Sequence, residues 1–201
     1  PNNSLSVNSK LEMGAFGGIK VNNRQQTSDY NIYAAGDNTE VVNLLTKRPD
    51  YIPLATLAHL QGHIAGANAA GGNEVSKPVV RNISVKLFDK TYSSVGITSK
   101  MATELNFKFR AVSAISNNLV PVMPESSKVF GKIVFNPDNK KVYGASFLGK
   151  EEVIGYADIV STLIQNNVQC DKLSEINFNY TPPRSPFINI LSILGRKIRE
   201  A

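Results

Sequence analysis

"IYAAGD", residues 32–37, is a short apolar run that stops on a glycine and a carboxylate. Its length and lack of alternation predict a strand covered on both faces, since a half-exposed strand would place polar residues at every second position. Asp37 would then close the carboxyl end of that strand, where α/β folds gather their ligands. An ionised carboxylate there accepts hydrogen bonds from sugar or polyol hydroxyls. The plainer alternative is an aspartate that caps the next turn.

Upstream, "GGIKVNN" (17–23) alternates through Ile19 and Val21 as a second short strand would, and residues 1–17 are polar and irregular. Pro1 reads as a point within a longer polypeptide. Downstream, "NTEVVNLLTKRPDY" (38–51) is a turn-rich connection, and Pro53 suits the first turn of a helix that continues to about Asn68. At about 100° per residue, Leu54, Leu57, Leu60, Gln61, Ile64 and Ala65 share one side, with Ala55, His59, Gly62 and Gly66 nearly opposite. Glycine inside a helix costs about 1 kcal/mol relative to alanine, so the small-residue side expects a close neighbour, either a sheet or a flat ligand.

"AAGGNEVSKP" (69–78) has the composition of a helix end and a linker, which divides the chain into domains at 1–78 and 79–201. Beyond it, strands are expected at "ISVKLF" (83–88), "YSSVGI" (92–97), "FRAVSAI" (109–115), "VFGKIVF" (129–135) and "VYGASFLG" (142–149). The last two form a hairpin through "NPDNKK". Helices are expected over about 99–106, capped by Thr98 or Ser99, and over 151–166, with Val153, Tyr156, Ala157, Val160, Leu163 and Ile164 on one face. Strands in runs with segregated helices indicate an α+β domain.

A chain of 201 residues accommodates one or two domains. It contains no apolar run of the ~18 residues a membrane span needs, and "PNNSLSVNSK" lacks the regions of a signal peptide, so a soluble, cytoplasmic protein without membrane partners is expected. The single cysteine, Cys170, excludes an intrachain disulfide, a CxxC pair and a cysteine-rich zinc site, and with no histidine near it in sequence it reads as structural. The net charge of +6 is scattered apart from the tail "GRKIRE" (195–200), which favours a solvated basic surface over a nucleic-acid partner.

His59 and His63 in "HLQGH" have zincin spacing, but Leu60 stands where the catalytic glutamate belongs and no third ligand is evident, so no metal is expected. No Ser-His-Asp set can be assembled, and "GAFGG" lacks the strand and helix that frame a phosphate-binding loop. What remains is Asp37 together with the helix start near Pro53, whose free N–H groups suit an electron-rich ring or a developing anion. A carboxylate for a polyol beside a helix start for a ring is a pairing that a flavin demands.

"TSDYNIYAAGD" (27–37) followed by "IPLATLAHLQGHIAGANAAGG" (52–72) resembles the second flavin-binding segment of the FAD-dependent pyridine nucleotide-disulfide oxidoreductases, most of all the coenzyme A disulfide reductase and NADH oxidase branch. "FNYTPPRSP" (178–186) resembles that branch's Y-x-P-P-x-S signature. The resemblance implies an α/β remnant of an FAD-binding Rossmann-like domain over 1–78, then an α+β dimerisation domain with an antiparallel sheet over 79–201. It implies FAD as cofactor and NAD(P)H as co-substrate, with the glycine-rich loop, the redox cysteine and the NAD(P)H domain in a missing amino-terminal part. It further implies that Asp37 binds the ribityl chain, that Thr27, Ser28, Ala35 and Gly36 line the cofactor, and that Pro53, Leu54 and Ala55 face the flavin's pyrimidine edge. His59 and Arg184 would lie near substrate, and Tyr180 would enter the active site of the other subunit of a homodimer. Two departures accompany it: a second tyrosine is replaced within "VPVMPESS" (120–127), and the basic residue after Tyr-x-Pro-Pro is out of register, with Arg184 nearby. The expected activity is reduction of a disulfide, a persulfide or other sulfur species, or oxygen. The alternative is a non-catalytic homodimerisation module with a vestigial flavin half-site.

Overall fold

In the computed structural model, which describes residues 1–201, the chain divides into two units, Pro1–Val79 and Val80–Ala201. The first carries little regular structure: helix α1 (Ser4–Asn8), strands β1 (Val41–Val42) and β2 (Pro49–Asp50), and helix α2 (Ala55–Ala69). Both strands expected at its start are absent. Ile19 is buried but makes only single bridges, to Met13 and Thr39. Residues 32–35 make one bridge, Tyr33 to Gln26, although Ala35 is fully extended at φ −150° and ψ 160°. An apolar run is covered on both faces only inside a multi-stranded sheet, and here no strand lies beside it; Ile32 and Asp37 are exposed and residues 33–36 half-buried.

The connection at 38–51 holds a small hairpin instead of turns alone, pairing Val41 with Asp50 and Val42 with Pro49. Asn43, buried, closes it by accepting from the Leu45 and Thr46 amides at 2.8 and 3.2 Å and donating to Asp50 Oδ2 at 2.9 Å. In α2, Leu54 is the N-cap, so Pro53 lies one residue outside the helix. The buried side of α2 is narrow: Gln61, Ile64 and Asn68, spaced i, i+3, i+7, while Leu60 is exposed. Asn68 is satisfied by donating to the Arg24 and Glu74 carbonyls at 2.9 and 2.8 Å and accepting from the Glu74 amide at 2.8 Å.

The second unit is an α+β domain. Strands β3 (Asn82–Leu87), β4 (Lys90–Gly96), β5 (Arg110–Asn117), β6 (Lys128–Phe135) and β7 (Val142–Gly149) form one sheet in the order β3-β4-β7-β6-β5, every neighbour antiparallel. Helix α3 (Ser99–Glu104) is capped by Thr98, whose Oγ1 accepts from the Met101 amide at 3.2 Å. Helix α4 (Glu152–Gln165) buries Val153, Tyr156, Ala157, Val160, Leu163 and Ile164, the expected stripe, and sets Tyr156 edge-on against Phe147 of β7 at 5.8 Å. No helix is long and apolar enough to cross a membrane.

The tail expected to be a basic cluster is instead helix α5 (Ile190–Glu200), capped by Asn189 Oδ1, which accepts from the Leu191 amide at 2.9 Å. Ile190, Leu191, Leu194 and Ile198 are buried, with Ile190 and Leu194 lying over Gly131 of β6. The same helix packs on a 3₁₀ turn, Cys170–Ser174, at Gly195, where an added Cβ would stand 2.4 Å from the Ser174 amide nitrogen. On the sheet's other face Val85, Tyr92, Leu148, Phe130 and Ile115 form one cross-strand row, of which Val85, Phe130 and Ile115 are exposed.

In an exposed helix a glycine-to-alanine change gains about 1 kcal/mol. Gly195→Ala is expected to do the opposite and lower stability by about 1–3 kcal/mol, because its backbone neighbour cannot yield. Chemical denaturation of the variant checks this.

Candidate functional site

Asp37 stands in a 3₁₀ turn, Gly36–Asn38. Gly36 takes φ +81°, in the left-handed region where side chains are disfavoured, and its backbone sits so close to α2 that an added Cβ would come 3.4 Å from Ala58 Cβ. The turn is fixed by Gln61. Its side-chain oxygen, on a residue only 3% exposed, accepts from the Gly36 amide at 2.8 Å. Thr39 Oγ1 donates to the Gly36 carbonyl at 2.9 Å, and Tyr51 donates its hydroxyl to the Asp37 carbonyl at 2.9 Å. With its backbone held on both sides, Asp37 projects an exposed carboxylate that makes no hydrogen bond or ion pair within the chain.

Among the other expected cofactor residues, Ala35 leads into this turn in extended conformation. Thr27 and Ser28 are engaged locally: Thr27 Oγ1 donates to the Asp29 carbonyl at 3.0 Å, and Ser28 Oγ accepts from the Glu12 amide at 2.9 Å. The start of α2, at Leu54 and Ala55, has no side-chain cap and no acid in its first turn, so its first N–H groups remain available to a ligand. Pro53 is exposed ahead of it. The structure therefore brings Gly36, in the turn that carries Asp37, to Ala58 and Gln61, on the helix whose first turn carries Leu54 and Ala55.

The small-residue side of α2 is not packed on a sheet. Ala55, His59, Gly62, His63 and Gly66 are exposed, and an added Cβ at Gly62 or Gly66 would meet nothing within 4 Å. His59 and His63 contact each other edge-on at 4.6 Å, and no group of three or more His, Cys, Asp or Glu side chains converges anywhere to hold a metal.

Tyr180 and Arg184 belong to the second unit. They lie in an exposed loop closed by Thr181 and Ser185: the Thr181 amide donates to Ser185 Oγ at 2.7 Å, and the Thr181 carbonyl accepts from the Arg184 and Ser185 amides at 2.8 and 2.9 Å. The Tyr180 ring meets Phe187 at 5.4 Å with an interplanar angle of 83°. Gln61 and Phe187 escaped the reading of the sequence. A lone amide among Leu57, Leu60 and Ile64 was the available signal for Gln61, since a buried polar group needs a partner; nothing in the local pattern marks Phe187.

Cys170 is fully buried and directs its Sγ to the Lys140 carbonyl at 3.0 Å. Burial, with a smaller push from the Asp171 charge, raises the thiol to about 12 from an ordinary value of 9.0. Such a thiol is no nucleophile near neutral pH. Tyr156 is likewise pushed up to about 12, chiefly by burial and then by Glu152.

Residues 83–187 match the family described as pyridine nucleotide-disulphide oxidoreductase, dimerisation domain. The chain is 32% identical over 193 residues to an NADH oxidase of Methanocaldococcus jannaschii, covering 96% of this chain and 43% of that one. It is 28% identical to a coenzyme A disulfide reductase of Staphylococcus aureus, covering 99% and 45%. Among solved structures it is similar to a NAD-dependent persulfide reductase from A. fulgidus, with a TM-score of 0.93 and 31% identity over 100% of this chain and 37% of that one. The chain thus spans less than half the length of each of these relatives.

Because Cys170 and Tyr156 ionise more readily in the unfolded chain, the stability they contribute is complete below their ordinary values of 9.0 and 10.0 and is lost as pH rises through about 12. Denaturation midpoints should therefore hold to about pH 9 and fall above it, less steeply in Tyr156→Phe. At pH 8 the native thiol should resist iodoacetamide and react at the normal rate only once the chain is unfolded.

Proposed function

The chain belongs to the pyridine nucleotide-disulphide oxidoreductases, whose dimerisation domain it carries, and from that membership we propose that it is the carboxy-terminal part of an FAD-dependent NAD(P)H oxidoreductase. Residues 1–78 supply half of the flavin site and 79–201 the dimerisation domain. The relatives named as NADH oxidase, coenzyme A disulfide reductase and persulfide reductase support an acceptor that is oxygen, a disulfide or a sulfur species. In this reading the rest of the enzyme provides the glycine-rich loop, the redox cysteine, the NAD(P)H domain and the strands beside Ile32–Ala35, which complete a Rossmann-like sheet.

The observation that carries the reading is the free Asp37 carboxylate, held on a turn that Gln61 fastens to an uncapped helix. These donors and acceptors fit FAD. Bound there, FAD would supply the hydride and electron-transfer chemistry. Asp37 accepts hydrogen bonds from the ribityl hydroxyls, and the amides of Leu54 and Ala55 donate to the electron-rich pyrimidine edge with the helix dipole behind them. Gly36, lacking a side chain, leaves room beside α2, while Thr27, Ser28, Ala35 and Pro53 line the cofactor. His59, on the open side of α2, faces the substrate. Tyr180 shapes the partner subunit's site, and Arg184, whose guanidinium has no acidic partner, attracts an anionic substrate. The active enzyme is accordingly a homodimer.

The family match lies wholly within the second unit, which favours one other reading: a homodimerisation module whose flavin half-site is vestigial. Size-exclusion chromatography with an absorbance scan separates the two. The full-length protein elutes as a yellow dimer if it is the enzyme and as a colourless dimer if it is the module. Removing a charged hydrogen-bond acceptor costs about 1.5–3 kcal/mol. In the full-length protein Asp37→Ala should therefore weaken FAD retention by at least about tenfold; undiminished flavin content would reject the assignment of Asp37.

A further inference from the structure

We propose that Phe187 is a positioning residue that holds the Tyr180 ring in the orientation it presents to the partner subunit. The proposal rests on the reading of Tyr180 given above and assigns a role to a residue that the Y-x-P-P-x-S pattern does not reach.

Three observations lead to it. First, Tyr180 and Phe187 are exposed aromatic rings that contact each other edge to face, at 5.4 Å and 83°, the arrangement in which one ring's positive edge meets the other's negative face. Second, the chain between them is braced. Pro182, Pro183 and Pro186 fix three backbone φ angles, and the Thr181–Ser185 hydrogen bonds close the turn, so little entropy is lost in keeping the rings together. Third, the two ends of the loop are anchored unequally. Phe187 lies two residues, through the exposed Ile188, before Asn189, the cap of α5, whose Ile190 and Leu191 are 1% and 0% exposed; Tyr180 lies six residues beyond the 3₁₀ turn Cys170–Ser174. Rigidity therefore passes from the core through α5 and its cap to Phe187, and from that ring to Tyr180. The Tyr180 hydroxyl makes no hydrogen bond within the chain, so packing alone orients the ring, and its one aromatic contact is Phe187.

Phe187 is 75% exposed, so its replacement leaves the core intact. Phe187→Leu keeps apolar bulk but removes the ring, and Phe187→Tyr keeps the ring. Two readouts decide the matter: NMR shifts of the Tyr180 ring protons, and kcat/KM for the electron acceptor in the full-length dimer. Phe187→Leu is expected to move the ring signals toward those of free tyrosine and to lower kcat/KM about fivefold, with Phe187→Tyr restoring both. Ring signals unmoved by Phe187→Leu would overturn the proposal. So would moved signals with unchanged turnover in a dimer where Tyr180→Ala is impaired. Unimpaired turnover in Tyr180→Ala would instead overturn the reading of Tyr180, and the proposal with it, even if the rings touch as described.

Discussion

The side-chain oxygen of Gln61 accepts the Gly36 amide at 2.8 Å, and the placement of Asp37 depends on that bond. Gly36 occupies a backbone region that side chains avoid, and a Cβ there would touch α2 at Ala58. Without an acceptor its amide would cost about 1–3 kcal/mol, and the turn would have no reason to stay on the helix. Gln61 meets that need and so ties the carboxylate to the helix with the uncapped start. Thr39 and Tyr51 secure the same turn from its other side.

A different constraint governs the second unit. Five antiparallel strands leave two faces to cover, and two helices lie on one of them: α4 sets Tyr156 on Phe147, and α5 sets Ile190 and Leu194 over Gly131. Gly131 of β6 pairs directly with Phe147 of β7, and a Cβ added at Gly131 would come 3.1 Å from Phe147 Cδ1, so the aromatic ring fills the space its partner leaves. The other face keeps an exposed apolar row from Val85 to Ile115.

The legible parts of the fold were those fixed by local chemistry. β7 runs Val142–Gly149 as its sequence predicts, α4 buries its predicted stripe, and Thr98 caps α3. The illegible parts depend on partners distant in sequence. Ala35 is extended as the apolar character of its run suggests, but a strand exists only where another lies beside it. α5 was hidden because Arg196, Lys197 and Arg199 draw attention to charge, while Ile190, Leu191, Leu194 and Ile198 carry the helix. In the candidate site, Asp37 and the helix start stand out as residue types suited to a ligand. Gln61 and Phe187 act through contacts 25 residues and one braced loop away, which no periodicity reports.

The most direct measurement is the flavin content of the full-length protein carrying Gln61→Leu, a change that leaves Asp37, Leu54 and Ala55 untouched and preserves side-chain bulk. If the Gly36 turn is held in place by Gln61 to form half of a flavin site, the variant loses FAD affinity by about tenfold while remaining folded. Flavin content equal to that of the unaltered protein would contradict the account.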